Sequence, residues 1–203
     1  MERRLVCVNI KKEKTMSNDD LRKMKQIIEE AAAKQPLMQD KLRYKRNELD
    51  PVLSQDTLDV HYGKLAKAYV DRYNKGEGSS DFNYGGARLH NIYFAQFKEP
   101  NGSNKPSGRV AELIDSKYGS YNAFQEAFTK VAMGLQGSNW IYLDNRGEIK
   151  VIKNHSYRDS MKIVLLVDWW EHSWFLDYQS DKQKYLQNIW RIIDWDVINQ
   201  RLV

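Results

Sequence analysis

Nine residues, PNGSNKPSG at 100–108, divide this chain into two stretches whose patterns require different architectures. The segment is dense in turn formers and is the strongest linker candidate in the sequence. Before it, apolar residues recur at helical steps. Residues 54–74 place Leu58, His61, Tyr62, Leu65, Ala68 and Tyr69 three or four positions apart. Gly76, Gly78, Ser79 and Ser80 then interrupt the pattern. A second helix is expected after Gly85-Gly86, carrying Leu89, His90, Ile92, Tyr93, Phe94 and Phe97 until Pro100. Two long helices joined by a Gly/Ser turn make an αα-hairpin. After the divide, two helices (about 109–117 and 120–135) precede NWIYLD, the turn Asn145-Arg146-Gly147 and EIKVIK, a strand pair around a hairpin. KIVLLVD at 162–168 is almost wholly apolar, as a strand covered on both faces must be. Helical sequence resumes near Ser173. The expected class is therefore α+β: an N-terminal helical hairpin, then an α/β domain built on a three-stranded antiparallel sheet.

Residues 1–41 form an extension to these two domains, which span 42–105 and 106–203. Ser17-Asn18-Asp19-Asp20 is a good N-cap for a helix with Leu21, Met24, Ile27, Ile28 and Ala31 on one face, closed by Pro36. The first 50 residues hold 13 Lys/Arg against 9 Asp/Glu, so most of the chain's net charge of +5 sits there. A solvated basic tail is the ordinary explanation, and docking of residues 1–40 on a larger protein assembly is the sharper one. Nucleic acid is not an expected partner, because no Arg–aromatic interleaving accompanies the charge. No apolar run approaches the ~20 residues that span a bilayer, so no membrane partner is expected. The opening MERRLVCVNIKKEKTM lacks the form of a secretory leader, and the lone Cys7 cannot make an internal disulfide. Both point to the cytoplasm.

The chemistry rests on a small set of residues. The chain has four histidines, and His61, His90 and His172 occur in apolar, aromatic-rich contexts, as does Asp168. Taken singly, His61 or His90 on an apolar helix face is ordinarily a hydrogen-bonded core residue. Asp168 could cap a helix, with His172 as its partner four residues on. Together, three imidazoles and a carboxylate suit a first-row transition metal such as iron or manganese.

A resemblance goes further. LDVHYGKLAKAYVDRYN (58–74), FNYGGARLHNIYF (82–94), GSNWIYL (137–143) and VDWWEHSWFLDYQSDKQKYLQNIWRIIDW (167–195) occur in the order found in iron/manganese superoxide dismutases, and the similarity runs from near Tyr44 to the end. The chain resembles that family over roughly four-fifths of its length. The resemblance implies one manganese or iron ion per chain, held by His61, His90, Asp168 and His172. It implies disproportionation of superoxide to dioxygen and hydrogen peroxide in two redox half-steps. Tyr69 falls at the tyrosine that gates the substrate channel, and Trp140 at the tryptophan beside the metal. Glu171 matches a glutamate that reaches the ligand histidine of a second subunit, which implies a homodimer.

Two departures qualify this. Leu65 stands where the family commonly has His, and Phe175 where it commonly has Tyr, two side chains that pair across the dimer. Losing both partners is nearly neutral, whereas losing one strands a polar group at ~1–3 kcal/mol. The glutamine that contacts metal-bound solvent is also missing. Iron enzymes tend to supply it four positions before the second ligand, here Gly86, so manganese is favoured over iron. In KNHSYRDS (153–160) His155 is the best replacement, with Tyr157 or Arg158 as alternatives. A competing expectation follows from these departures and the extension: a structural subunit of a larger assembly that keeps the dismutase fold with weak or no activity.

Overall fold

The computed structural model describes residues 17–33 and 35–202, without the side chains of 27–33. The described residues fall into two units, one ending at Pro36 and one beginning at Leu37. The first contains α1 (Asn18–Ala33). Its start is a reciprocal cap: the Asp20 N–H donates to Ser17 Oγ (3.1 Å), and the Ser17 hydroxyl donates to Asp20 Oδ2 (2.7 Å). On the face expected to be apolar, Leu21 and Met24 are 47% and 48% exposed. Ile27, Ile28 and Ala31 lie outside the described side chains, and the basic residues 1–16 lie outside the described residues.

The second unit opens with a hairpin of helices. Ser54 accepts the Thr57 N–H and starts α2 (Gln55–Val60), which runs without a break through a π-helical turn (His61–Ala66) into α3 (Lys67–Lys75). Gly76, at φ +71°, ends it in the left-handed conformation that glycine adopts without strain. The π turn alters the expected stripe. His61 and Ala66, five residues apart, are both buried, while Leu65 is only partly so. One π turn spans those five positions, so the wider winding turns Ala66 inward in place of Leu65.

α4 (Ser80–Phe94) differs from expectation at both ends. It is capped by Ser79, starts five residues before Gly85, and stops short of Phe97. The two glycines lie inside the helix because neighbouring groups occupy the space a side chain would take. A Cβ on Gly85 would lie 2.0 Å from the His155 carbonyl oxygen, and one on Gly86 would lie 2.7 Å from the Tyr69 ring. The turn-rich segment after α4 is also more constrained than a linker. Lys98 and Asn101 donate backbone N–H groups to Ile192 and Arg191, and Asn104 Nδ2 donates to the carbonyls of Trp190 and Ile193.

Beyond it come α5 (Gly108–Tyr118), α6 (Tyr121–Met133) and three strands: β1 (Asn139–Asp144), β2 (Ile149–Lys153) and β3 (Ile163–Asp168). The sheet is antiparallel in the order β2-β1-β3, with Trp140 paired to Asp168. β1 and β3 are buried at every position, as the apolar run of β3 requires. Two side chains, Gln96 and Arg201, bond to the outer edge of β3. Gln96 accepts the Leu166 N–H (3.1 Å) and donates its amide to the Leu166 carbonyl. Arg201 in turn holds Gln96 Oε1, the Val164 carbonyl and the Ile92 carbonyl, joining the C-terminus, the sheet and α4. A 3-10 turn (Glu171–Ser173), α7 (Phe175–Tyr178), α8 (Lys182–Ile189) and α9 (Trp195–Gln200) complete the chain. Asp177 of α7 accepts from the Ser54 N–H (3.0 Å) and the Thr57 hydroxyl (2.8 Å), fixing the start of the His61 helix against the segment after His172.

The Gly85 contact makes a prediction. Gly85→Ala drives a methyl group into a backbone carbonyl, which rotamer changes cannot relieve, so it should destabilise the fold by about 1–3 kcal/mol despite the better helix propensity of alanine. Urea denaturation followed by circular dichroism measures this, and an unchanged or raised midpoint would contradict the close approach.

Candidate metal centre

Four elements each contribute one side chain to a single point. His61 comes from the π turn, His90 from α4, Asp168 from the last position of β3, and His172 from the 3-10 turn that follows. Their ligand atoms all lie within 4.8 Å of one another. Asp168 Oδ2 is 3.1 Å from His61 Nε2, 3.6 Å from His172 Nε2 and 3.8 Å from His90 Nε2. His61, His90 and Asp168 are buried, and His172 is largely so. None of these four atoms has a hydrogen-bond partner among the described residues. Each such orphan costs about 1–3 kcal/mol, a loss no fold carries four times over without return. A shared cation satisfies all four at once, and donors about 2.0–2.2 Å from one ion are themselves roughly 3–4 Å apart. The residues fit a metal.

Hydrogen bonds set two of the donors, His90 and Asp168, in their ligating form. The His90 Nδ1–H donates to the Gly86 carbonyl one helical turn back (2.6 Å), so its lone pair is on Nε2, facing the cluster. Asp168 Oδ1 accepts the Trp170 N–H (2.8 Å), leaving Oδ2 to face the histidines. Burial pushes His61 below the usual histidine range, and burial with His61 beside it pushes His90 well below. Burial alone would raise the Asp168 carboxyl, but the His172 and His61 rings beside it hold it well below the usual carboxylate range. A buried carboxylate beside two imidazoles, His61 and His90, that burial keeps from charging leaves a negative hole for a cation.

A second ring of side chains encloses this cluster. Tyr69 lies nearly parallel to His90, with centroids 5.3 Å apart, and meets the His155 ring edge-on at 4.7 Å. Its hydroxyl is raised above the usual tyrosine range, chiefly by burial. The Trp140 indole N–H donates to His155 Nδ1 (3.1 Å), so the proton of His155 is on Nε2, which is buried without a partner. Burial pushes His155 down to about 4, and it is neutral at physiological pH. Trp170 stacks on His155 at 4.5 Å, and Phe82 packs at the edge of the same ring, 4.7 Å away. Of the candidates for the missing amide donor, the structure brings His155 to the cluster, while Tyr157 and Arg158 line the recess outside it. Glu171 is exposed and is not drawn into the site of its own chain. Sequence reasoning did not single out Phe82 or Trp170, although both lie in the segments that carried the resemblance. Their signal was aromatic character alone, which core residues share.

Comparison with known proteins agrees with this geometry. The family model described as "Iron/manganese superoxide dismutases, alpha-hairpin domain" matches residues 38–82, and that described as "Iron/manganese superoxide dismutases, C-terminal domain" matches residues 106–201. A protein named "Superoxide dismutase [Fe]" from Bacteroides fragilis is 34% identical over 187 residues, covering 80% of this chain and 97% of that protein. "Superoxide dismutase [Mn/Fe]" from Porphyromonas gingivalis is 33% identical over 184 residues, covering 79% and 96%. "Superoxide dismutase [Fe]" from Coxiella burnetii is 34% identical over 180 residues, covering 77% and 93%.

Because the four donors are unsatisfied by the protein itself, metal should stabilise the fold. Loading with manganese or iron at 100 times the dissociation constant should add about 2.7 kcal/mol, seen as a raised melting temperature. Asp168→Ala should abolish both the metal content and this shift. A melting temperature indifferent to chelation and reloading would contradict the shared-ion assignment.

Proposed function

The chain belongs to the iron/manganese superoxide dismutase family and is an oxidoreductase acting on superoxide, and we propose that His61, His90, Asp168 and His172 hold its iron or manganese. The observation that carries this reading is the convergence of four buried, unpartnered donor atoms from four separate elements. Iron or manganese supplies the one-electron exchange by which two superoxide anions and two protons become dioxygen and hydrogen peroxide. The protein's part is to hold the donors, exclude bulk water and deliver protons.

Each role follows from an atom described above. Asp168 brings the negative charge that balances a cation, and the Gly86 carbonyl keeps His90 in its ligating tautomer. Trp140 fixes His155 with its proton on the buried Nε2, and we assign that N–H as the donor to the small molecule bound beside the four ligands. Tyr69, raised by burial, remains a protonated hydroxyl against His90 and His155 and is our second proton-holding group. Phe82, Trp140 and Trp170 supply the apolar wall that keeps the site small and dry.

Gly86 has no side chain and the donor comes from the sheet side, which favours manganese in this chain. The exposed Glu171 lies beside Phe175 and Leu176, 49% and 54% exposed, and we propose that this surface mediates a homodimer. No described helix is long and apolar enough to cross a membrane. A cytoplasmic location remains our proposal, and so does a separate docking role for residues 1–40, since every side chain of the site lies in 37–203.

Superoxide consumption by protein loaded with manganese or iron, followed in pulse experiments, tests the assignment. Loaded protein should consume superoxide and metal-free protein should not. His155→Ala should keep its metal and lose about 10–100-fold in rate, the usual cost of removing a group that supports a metal site. Full metal occupancy without consumption would overturn the enzymatic reading in favour of a structural subunit.

A further inference from the structure

Arg72 lies in the last turn of α3, three residues beyond Tyr69. Its guanidinium carbon is 4.9 Å from the centre of the Tyr69 ring. The group is held in place from the other side: Arg72 Nε–H donates to Asn83 Oδ1 (3.2 Å), and the buried Asn83 donates its amide to the Glu77 carbonyl (2.7 Å). Arg72 forms no ion pair among the described residues, and it is only partly buried. It is a cation without a carboxylate, latched to one helix of the hairpin by the other.

Its neighbours decide what that charge can do. Tyr69 and Phe82 are 6.0 Å apart, and both rings meet His155 at 4.7 Å. The Tyr69 ring thus touches Arg72 as well as His90 of the four-donor cluster. A recess of about 580 Å³ opens on His155 from outside, with Asp81, Phe82, Tyr84, Tyr157 and Arg158 among its walls. The Arg72 charge acts on the Tyr69 hydroxyl and on the His155 ring alike, lowering the proton affinity of each.

Resting on the dismutase reading of the site, we propose that Arg72 captures the anionic substrate at the Tyr69–His155 mouth and raises its local concentration there. The ordinary role for Arg at this position is to complement the carboxyl end of α3, but Lys75 in the same turn already offers that charge. Helix complementation also does not require the Asn83 latch or placement over Tyr69. A cation without a carboxylate partner at the edge of a low-dielectric site attracts small anions more strongly than one in bulk water does.

The test uses metal-loaded full-length protein, with azide as a linear monoanion probe read by visible absorption. Superoxide kcat/KM is measured against ionic strength in parallel. Arg72→Gln should weaken azide binding by about 3–10-fold at low salt and flatten the salt dependence of kcat/KM. Arg72→Lys should keep azide affinity within about twofold of the parent, because charge is the working property. Both variants should retain the parent's metal content and melting temperature, since Arg72 is partly exposed. The proposal is overturned if Arg72→Gln keeps the parent's azide affinity and salt dependence. It is equally overturned if Arg72→Lys loses as much as Arg72→Gln, which would make Arg72 a positioning residue for Tyr69. Azide affinity is read without turnover, so a failure of the dismutase reading itself would appear separately, as a parent protein that binds azide and consumes no superoxide.

Discussion

A carboxylate sealed from water is the constraint on which this structure turns. Asp168 has no exposed surface, and an isolated buried charge of that kind costs several kcal/mol. Placing it at the end of a strand buried on both faces rules out rescue by solvent, so the compensating groups must come from elsewhere in the chain. The hairpin supplies two imidazoles, and the turn after β3 supplies the third. The helical part and the sheet part are thus joined through one charge, with Gln96 and Arg201 bracing the same strand from its open edge.

Two imidazoles close to that charge are set in opposite proton arrangements by single hydrogen bonds. His90 gives its Nδ1 proton to a helix carbonyl and offers a lone pair at Nε2, whereas His155 accepts from an indole at Nδ1 and offers a proton at Nε2. One ring type therefore presents a lone pair and an N–H within 5.8 Å, centroid to centroid, the two faces our proposal uses as ligand and donor. What distinguishes them is whether the neighbour at Nδ1 is a carbonyl or an N–H. Burial keeps both rings neutral, so this division does not depend on titration near neutral pH.

Much of this was legible from residues. Leu58, Leu89 and the apolar run of β3 carry their periodicity openly, and an α+β chain with a helical hairpin follows from them. The three histidines and Asp168 stood out by company rather than by spacing, and their role came from resemblance. The π turn was not legible, because Leu65 and Ala66 are both acceptable inward residues and only the backbone decides between them. Gly85 and Gly86 read as a helix boundary, since glycine costs about 1 kcal/mol inside a helix and no local signal announces a compensating contact. That contact is tertiary, with residues 69 and 155. Arg72 was hidden for a related reason: a charged residue in a helix's last turn looks like capping until its neighbours from the other helix are seen.

The packing of the Tyr69 ring against Gly86 also bears on how such a site can change over generations. No side chain fits at position 86 while Tyr69 keeps its place, so a polar group reaching inward from α4 requires the Tyr69 ring to give way. Placing a side chain at position 86 is therefore a coupled change on two facing helices, and a substitution at Gly86 alone passes through a crowded intermediate.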